Sequence, residues 1–264
     1  DYVYGLSSVQ AALQAQKRSL DKLYIQKTID RSRISGILDA CQNQKIYISR
    51  VDKGKLNNMS SNKPHQGVVL DGSPRETIQL KAMSGVDKNG EYQGIVPQKE
   101  SIRFKMTTSL NRQPLWIVLD EVQDPQNLGS ILRTAYYFGV DGVLLCSKNS
   151  ASLTPAVSKV SSGAMELMDV YATRNLVKFL QASSEEGWHI MGAAVSETSA
   201  INLNNTKIDK PTMLVLGNEG VGLRYNVKRC CDQFVSIPGI DHHNKNNNDE
   251  LIDSLNVGVA AGVL

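Results

Sequence analysis

Asn127, Gly129 and Arg133 stand at i, i+2 and i+6 near the start of a run whose apolar residues, Leu128, Ile131, Leu132, Ala135 and Phe138, recur at helical spacing. A β-type segment, Leu115-Trp116-Ile117-Val118-Leu119, precedes them, and Asp124-Pro125 marks the turn between. Asn127 suits a helix N-cap. Gly139 and Gly142 end the helix, and Val143-Leu144-Leu145 opens the next strand. This is a strand–helix–strand unit. In open α/β sheets, ligands bind outside the carboxyl ends of strands, which is where Asn127 and Arg133 fall. The same residues fit a blander reading, in which Asn127 only caps the helix and Arg133 is a solvated charge.

A second stretch follows a continuous apolar run, Met213 to Leu216, of the kind expected in a buried parallel strand. Gly217, Gly220 and Gly222 surround Glu219. Their spacing is GxxGxG, not the GxGxxG of a dinucleotide site, and no GxxxxGK[ST] phosphate loop occurs. The cluster supplies a main chain that a ligand can approach closely. A tight turn with an exposed Glu is the plainer alternative. The histidines are His65, His189, His242 and His243. Asp241-His242-His243 has no second ligand cluster, so it reads as a solvated loop rather than a metal site. His65, after Pro64, either touches a nucleic acid or closes a turn. No Ser-His-Asp or Cys-His arrangement can be argued. Cys41, Cys146, Cys230 and Cys231 contain no CxxC pair, which points to a reducing compartment without structural disulfides.

These residues need elements to position them. The N-terminal part alternates helix 7–15, strand 23–25, helix 34–41, strand 45–49 and strand 67–70, a small α/β unit. Residues 71–113 carry turn residues, mixed charge and little periodicity, and read as a linker or insertion with room for an edge hairpin. Beyond 114 the alternation resumes, with helices 155–160 and 175–182 and strands 168–171, 188–194, 213–216 and 234–237. An Asn-rich polar insert, 241–250, precedes a small-residue apolar helix at 257–264.

The chain of 264 residues has room for two domains and is 41% hydrophobic, as soluble globular proteins are. No run approaches the ~20 apolar residues of a membrane span. It opens at Asp1, as a processed or trimmed form would. Net charge is +3, unevenly spread: residues 1–70 hold eleven Lys/Arg against five Asp, a local +6, and the rest is −3. A basic unit on a near-neutral one suggests that a polyanion is gripped at the N-terminal end, against the alternative of a merely solvated basic surface.

NLGSILR at 127–133, LGNEGVGLR at 216–224 and SIPGI with DSLNVGVAAG at 236–262 resemble, in order, the three motifs of the SPOUT superfamily in its SpoU, TrmH-like branch. That branch comprises S-adenosylmethionine-dependent RNA ribose 2′-O-methyltransferases. The basic N-terminal part, from YGLSSVQAALQ to HQGVVL, resembles the ribosomal-protein-L30e-like substrate-binding domain of a subgroup that methylates a guanosine in large-subunit ribosomal RNA. The extra segments look like those of a eukaryotic, mitochondrial member.

The resemblance implies an α/β fold in three parts: residues 1–70 as the RNA-substrate-binding domain, 71–113 as linker or insertion, and 114–264 as a parallel-sheet domain with a C-terminal trefoil knot. It implies S-adenosylmethionine without a metal, a homodimer with its active site beside the interface, large-subunit rRNA as partner, no membrane, and a mitochondrial (matrix) rather than cytoplasmic location. By position, Leu216, Gly217, Ile237 and Leu255 match main-chain cofactor contacts, and Asn127, Arg133, Glu219, Ser254 and Asn256 match the catalytic constellation. Gly258 stands where the family's third motif usually has a serine. The alternatives are a tRNA ribose 2′-O-methyltransferase and an inactive RNA-binding assembly factor. A guanidinium is a poor base, so Arg133 is expected to clamp the developing alkoxide or a neighbouring phosphate, with Asn127 and Glu219 positioning Arg133 and the ribose.

Overall fold

Alternating apolar residues at the N-terminus build a mixed four-stranded sheet in a computed structural model that describes residues 1–106, 112–194, 197, 199–239 and 254–264. Its strands are β1 (Tyr2–Tyr4), β2 (Leu20–Gln26), β3 (Tyr47–Val51) and β4 (Val68–Gly72), in the order β1-β4-β2-β3. β4 is antiparallel to β1 and β2, and β3 is parallel to β2. Val3, Leu23, Ile25, Val68 and Leu70 point to one face, where α1 (Leu6–Ala15) and α2 (Ser35–Asn43) bury them. On the other face α3 (Lys53–Met59) sets Leu56 against Tyr4, Val51 and Val69. β1 and α3 are additions to the expected elements. The first is three residues long, and the second carries one fully buried side chain, so neither leaves a periodic signal.

His65 closes a turn in this unit. Its Nδ1 accepts the Gly67 N–H at 3.0 Å, and its Nε2 faces Asn57 Oδ1 at 3.0 Å. Burial, with help from the Lys53 charge, holds its pKa below the usual histidine value. The ring's Nδ1 is thus committed as an acceptor within the turn.

From 115 onward all sheet pairings are parallel. The strands are β9 (Leu115–Leu119), β10 (Gly142–Cys146), β11 (Val170–Thr173), β12 (His189–Ala193), β13 (Ile201–Asn202), β14 (Thr212–Leu216) and β15 (Gln233–Ser236). β5 (Ile78–Gln79) adds an eighth strand beside β11, giving the order β13-β15-β12-β14-β9-β10-β11-β5. Both faces are covered, as a parallel sheet requires. Ile117, Leu119, Leu214 and Leu216 pack under α4 (Pro125–Phe138), α5 (Pro155–Val160), α6 (Ala164–Leu167) and α9 (Val257–Val263). Trp116, Val118, Met213 and Val215 pack under α7 (Leu176–Glu185) and α8 (Tyr225–Lys228).

The stretch between the two sheets is more than a connector. Besides β5 it forms an antiparallel sheet of β6 (Ala82–Met83), β7 (Glu91–Ile95) and β8 (Ile102–Lys105). Tyr92 stacks on Phe104 with ring centroids 5.2 Å apart, and its hydroxyl accepts the Trp116 Nε1–H at 3.1 Å. Aromatic packing orders a segment whose sequence reads as turns and charge. Residues 107–111 and the span 240–253, which contains the Asn-rich insert with Asp241, His242 and His243, lie outside the described residues.

The N-terminal sheet is bolted to the larger one. Arg18 donates from Nε and Nη2 to Glu166 at 2.8 Å each, and from Nη1 to the Ser73 carbonyl at 2.7 Å. The Arg18 side chain is fully buried, and that of Glu166 is 1% exposed. Lys17 pairs with Asp169 at 2.6 Å, and the Ser8 hydroxyl donates to the Ser158 carbonyl at 3.0 Å. Two of the eleven N-terminal cations thus serve the join and not a polyanion. Arg18→Ala would strand the Glu166 carboxylate without its partner in a dry site. Removing one member of a buried pair costs about 3–5 kcal/mol, whereas an apolar replacement of both is close to neutral. Denaturant melts should therefore show a large loss for Arg18→Ala and substantial recovery in Arg18→Met with Glu166→Met.

Candidate active site

The sheet order contains a switch point. From β9 the chain steps outward through β10 to β11, then returns on the other side to β12, and β14 later inserts between β12 and β9. Connections therefore leave the carboxyl ends of β9 and β14 in opposite directions, and the crevice between them is where an α/β sheet receives ligands. The first turn of α4, after β9, carries Asn127, and the loop after β14 carries Glu219.

Asn127 is not the helix cap. Asp124 caps α4, its side chain accepting the Gln126 N–H at 2.8 Å, and Pro125 occupies the first turn. Asn127 is then freed for other work. Its side chain is nearly buried, and its Nδ2 donates to Glu219 Oε1 at 2.6 Å. Its Oδ1 accepts from Asn256 Nδ2 at 2.9 Å. Asn256 Oδ1 in turn accepts the Gly258 and Val259 N–H groups at 2.9 and 3.3 Å, capping α9. A continuous chain runs from the α9 terminus through two amides to a carboxylate. It fixes which way each amide points and leaves Glu219, itself exposed, with one anchored oxygen.

The glycine loop is tight. A Cβ on Gly217 would lie 2.3 Å from the Gly222 carbonyl carbon and 2.5 Å from the Leu223 nitrogen. Gly222 has φ +69°, and the Asn218 and Gly222 backbones bridge one another. Asn218 holds the loop from inside: its Oδ1 accepts the Gly220 N–H at 2.9 Å, and its Nδ2 donates to the Glu121 carbonyl at 2.9 Å. Open space surrounds the Cβ positions of Gly222 and Gly239, so bare backbone faces outward there.

Two charged residues with no assigned role in the sequence reading brace this loop. Asp120 is fully buried at the end of β9 and accepts from Arg224 through Nε at 2.7 Å, Nη2 at 2.6 Å and the backbone N–H at 3.0 Å. Arg224 Nη1 also meets Glu121 at 3.1 Å. Burial opposes the Arg224 charge, but its hydrogen bond and attraction to Asp120 outweigh that and hold its pKa above the usual arginine value. The signal was an Asp closing one apolar strand and an Arg closing the next glycine loop.

The remaining sequence-predicted residues are placed as follows. Leu216 is buried, and its carbonyl accepts the Asp120 N–H at 2.8 Å. Ile237 is half-buried just past β15, and β14 and β15 flank β12. Their ends are therefore about 10 Å apart. Ser254 and Leu255 are exposed ahead of α9. Gly129 serves packing: a Cβ there would lie 2.6 Å from Val160 Cβ, so α4 and α5 approach closely only at a glycine. Gly258 has a comparable reason. A Cβ would come within 3.0 Å of Ser130 Oγ and 3.1 Å of Asn256 Oδ1.

Arg133 stands apart. Six residues along a helix rotate a side chain about 120° away from Asn127. Arg133 is exposed and has no ion pair among the described residues. It shares a face with Tyr136 and Tyr137, which are 50% and 82% exposed.

Burial pushes the Cys41 thiol up to about 11 and the Cys231 thiol up to about 12. Among the described residues no group of three or more His, Cys, Asp or Glu is placed to hold a metal ion. No helix of the described residues is long and apolar enough to cross a membrane.

Comparison with known proteins matches this architecture. The SpoU rRNA Methylase family model matches residues 114–264, and an RNA 2′-O ribose methyltransferase substrate-binding model matches residues 2–78. The chain is 35% identical over 246 residues to a Dictyostelium discoideum protein named "rRNA methyltransferase 1, mitochondrial", covering 89% of this chain but 45% of that protein. A Schizosaccharomyces pombe protein of the same name is 35% identical over 274 residues, covering 100% of this chain and 88% of that protein. An AdoMet-bound rRNA methyltransferase from Sinorhizobium meliloti superposes over 99% of this chain and 84% of its own with a TM-score of 0.69, at 19% identity, which bears on the fold alone. The chain belongs to the SpoU rRNA methylase family, a family of RNA methyltransferases.

Proposed function

We propose that this protein transfers a methyl group from S-adenosylmethionine to the ribose 2′-oxygen of a guanosine in large-subunit ribosomal RNA, in the mitochondrial matrix. The observation that carries the reading is the hydrogen-bonded chain Glu219–Asn127–Asn256, which joins the three motifs at the switch point of the sheet. Residues 1–70 would bind the RNA substrate and 114–264 would carry the chemistry. The names of the relatives, the substrate-binding model and the mitochondrial label on both relatives support it.

The cofactor would lie against the loops after β14 and β15, with Leu255 as a third contact: Gly217 lets the 217–222 loop close on itself, and Gly220 and Gly222 leave open main chain that an adenosyl group can approach. Bound there, S-adenosylmethionine supplies a methyl group already activated on a sulfonium. The protein's own task is placement, which can supply ~7–11 kcal/mol. Glu219, steadied by Asn127 and itself exposed, would accept the 2′-hydroxyl's hydrogen bond and pass its proton to solvent as the oxygen takes the methyl group and the thioether leaves, and Ser254 adds a hydroxyl beside Asn256. Incubation with labelled S-adenosylmethionine in EDTA, followed by mapping of the label, tests the reading. Label on a guanosine ribose of large-subunit rRNA is expected. Label on tRNA would move the assignment to the tRNA alternative, and no label anywhere would favour an inactive assembly factor.

The RNA grip would be a cleft of about 700 Å³ at the carboxyl end of β2, lined by Arg33, Lys53 and Lys63. Replacing these three by Gln should weaken RNA binding and lower the slope of log K against log salt by about 2–3, because fewer counterions are released. Cofactor affinity should not move. An unchanged slope would exclude the cleft.

The exposed face of α4 and α9 would form a homodimer. Tyr136, Tyr137 and Phe138 on α4 and Val259 and Val263 on α9 are all about half exposed or more. Such an apolar patch is a mark of an interface. Arg133 lies on that face, so Arg133 of one protomer would serve the ribose bound at its partner. Tyr137→Glu should give a monomer in light scattering that binds cofactor but transfers no methyl; a dimer would show that the interface lies elsewhere.

A further inference from the structure

The loop from Gly217 to Arg224 has little of its own to hold it in one shape. Of its eight residues three are glycines and only Leu223 is buried. Glu219, Gly220, Val221 and Gly222 are all exposed. Glycines lose the most conformational freedom on ordering, so such a loop stays open unless something outside it fixes both ends.

Both ends are tied to two consecutive residues, Asp120 and Glu121, at the end of β9. At the near end the Asp120 N–H donates to the Leu216 carbonyl at 2.8 Å, and Asn218 Nδ2 donates to the Glu121 carbonyl at 2.9 Å. At the far end Arg224 donates to Asp120 from Nε, Nη2 and its backbone N–H, at 2.7, 2.6 and 3.0 Å. Its Nη1 meets Glu121 Oε1 at 3.1 Å, and Asn149 Nδ2 donates to the same oxygen at 3.2 Å. Glu121 stands at φ +59°, a strained conformation for a residue other than glycine, which persists only where the surroundings fix it. The same strand end leads through Asp124 into α4, where Asn127 holds Glu219 at 2.6 Å.

Asp120 is fully buried, so it touches no ligand itself. A buried ion pair adds little net stability over a well-packed apolar pair. What an apolar pair cannot supply is direction: a guanidinium fork on a carboxylate sets distance and angle together. The pair therefore suits a segment whose shape matters more than its contribution to stability.

We propose that Asp120 and Arg224 are positioning residues for the cofactor: with Asn218 they preset the 217–224 loop in the shape that receives S-adenosylmethionine, before the cofactor arrives. The proposal rests on the reading of this loop as the cofactor site. Without the pair the loop samples open shapes, and affinity falls by the fraction of time it is closed. Once the cofactor fills the site the loop is closed again, and Asn127 holds Glu219 as before. The loss therefore falls on cofactor affinity and not on the chemical step.

The test uses the full chain carrying Asp120→Asn together with Arg224→Met. The amide oxygen still accepts the backbone N–H at 224 and no buried charge is stranded, so the variant should melt close to wild type. Amide hydrogen exchange is followed by NMR without cofactor. It should quicken about 10-fold at Gly220 and Gly222, whose N–H groups Asn218 holds, while the amides of β14 keep their protection. Calorimetry should show S-adenosylmethionine affinity lowered about 10-fold, as for a loop closed a tenth of the time. In methyl transfer the cofactor KM should rise by a similar factor, with kcat at saturating cofactor within about twofold of wild type. Arg224→Lys should fall between, since an ammonium keeps the charge but not the fork. Unchanged cofactor affinity in the folded double variant, whether or not exchange quickens, would mark the pair as a prop of the fold and overturn the proposal. Lost kcat with an unchanged KM would overturn it as well, by moving the pair to the chemical step. The exchange measurement needs no cofactor, so a wild type that binds no S-adenosylmethionine, although its loop loosens in the variant, would sink the cofactor reading and leave the brace on the loop standing.

Discussion

Arg133→Ala is expected to lower single-turnover methyl transfer by about 10²–10³-fold, the usual loss when one preorganised donor to a developing charge is removed. Cofactor affinity and thermal stability should stay near wild type, because Arg133 is exposed and lacks an ion pair among the described residues. An interaction formed only as the ribose oxygen gains charge affects the rate more than ground-state binding. Arg133→Lys should recover only part of the activity, since an ammonium cannot reproduce the planar fork. The helical rotation between Asn127 and Arg133 adds a sharper consequence. Two inactive variants, Arg133→Ala and Glu219→Gln, mixed and allowed to exchange subunits, should regain about a quarter of wild-type activity, because each mixed dimer contains one site with both residues intact. Turnover that stays absent after exchange would place Arg133 in its own protomer's site, and near-normal turnover of Arg133→Ala would remove it from the chemistry and turn suspicion to Glu219 and Asn256.

Gly217→Val is expected to abolish S-adenosylmethionine binding in calorimetry while the far-ultraviolet spectrum stays folded. The reason is local. The first side-chain atom would already overlap the backbone of Gly222 and Leu223, so the loop from 217 to 222 must open. Opening it breaks the Asn218–Gly222 bridge and moves Glu219 away from Asn127. The sheet itself ends at Leu216 and keeps its packing. Gly220→Ala is the control: its Cβ would have only Asn218 Oδ1 nearby, at 3.6 Å, so binding should persist. Retained binding in Gly217→Val would show that the cofactor uses another surface.

The expected elements follow from local rules where those rules are strong. Continuous apolar runs such as Met213 to Leu216 became buried parallel strands, and the spacing of Leu128, Ile131, Leu132 and Ala135 became the buried stripe of α4. Asn127 and Glu219 stood out in the sequence because they follow strand ends, and the structure joins them by a hydrogen bond. What sequence did not show is long-range. The Arg18–Glu166 pair joins residues 148 apart, and counting charge alone assigned Arg18 to a polyanion. The Asp124 cap was read as a turn, since Asp-Pro signals both, and that put the cap three positions late, at Asn127. The strands β5 and β6 are two residues each and exist only because a neighbour or an aromatic cluster holds them.

The proposed acceptor is a ribose oxygen. Once the methylated nucleotide has been mapped, an RNA fragment carrying a single 2′-deoxy substitution at that nucleotide tests it most directly. Single-turnover transfer from labelled S-adenosylmethionine in EDTA should reach the all-ribose fragment and fall to background on the deoxy one, although both bind with similar affinity. Undiminished transfer to the deoxy fragment would place the methyl group on the base and contradict the mechanism built around Glu219, Asn127 and Arg133.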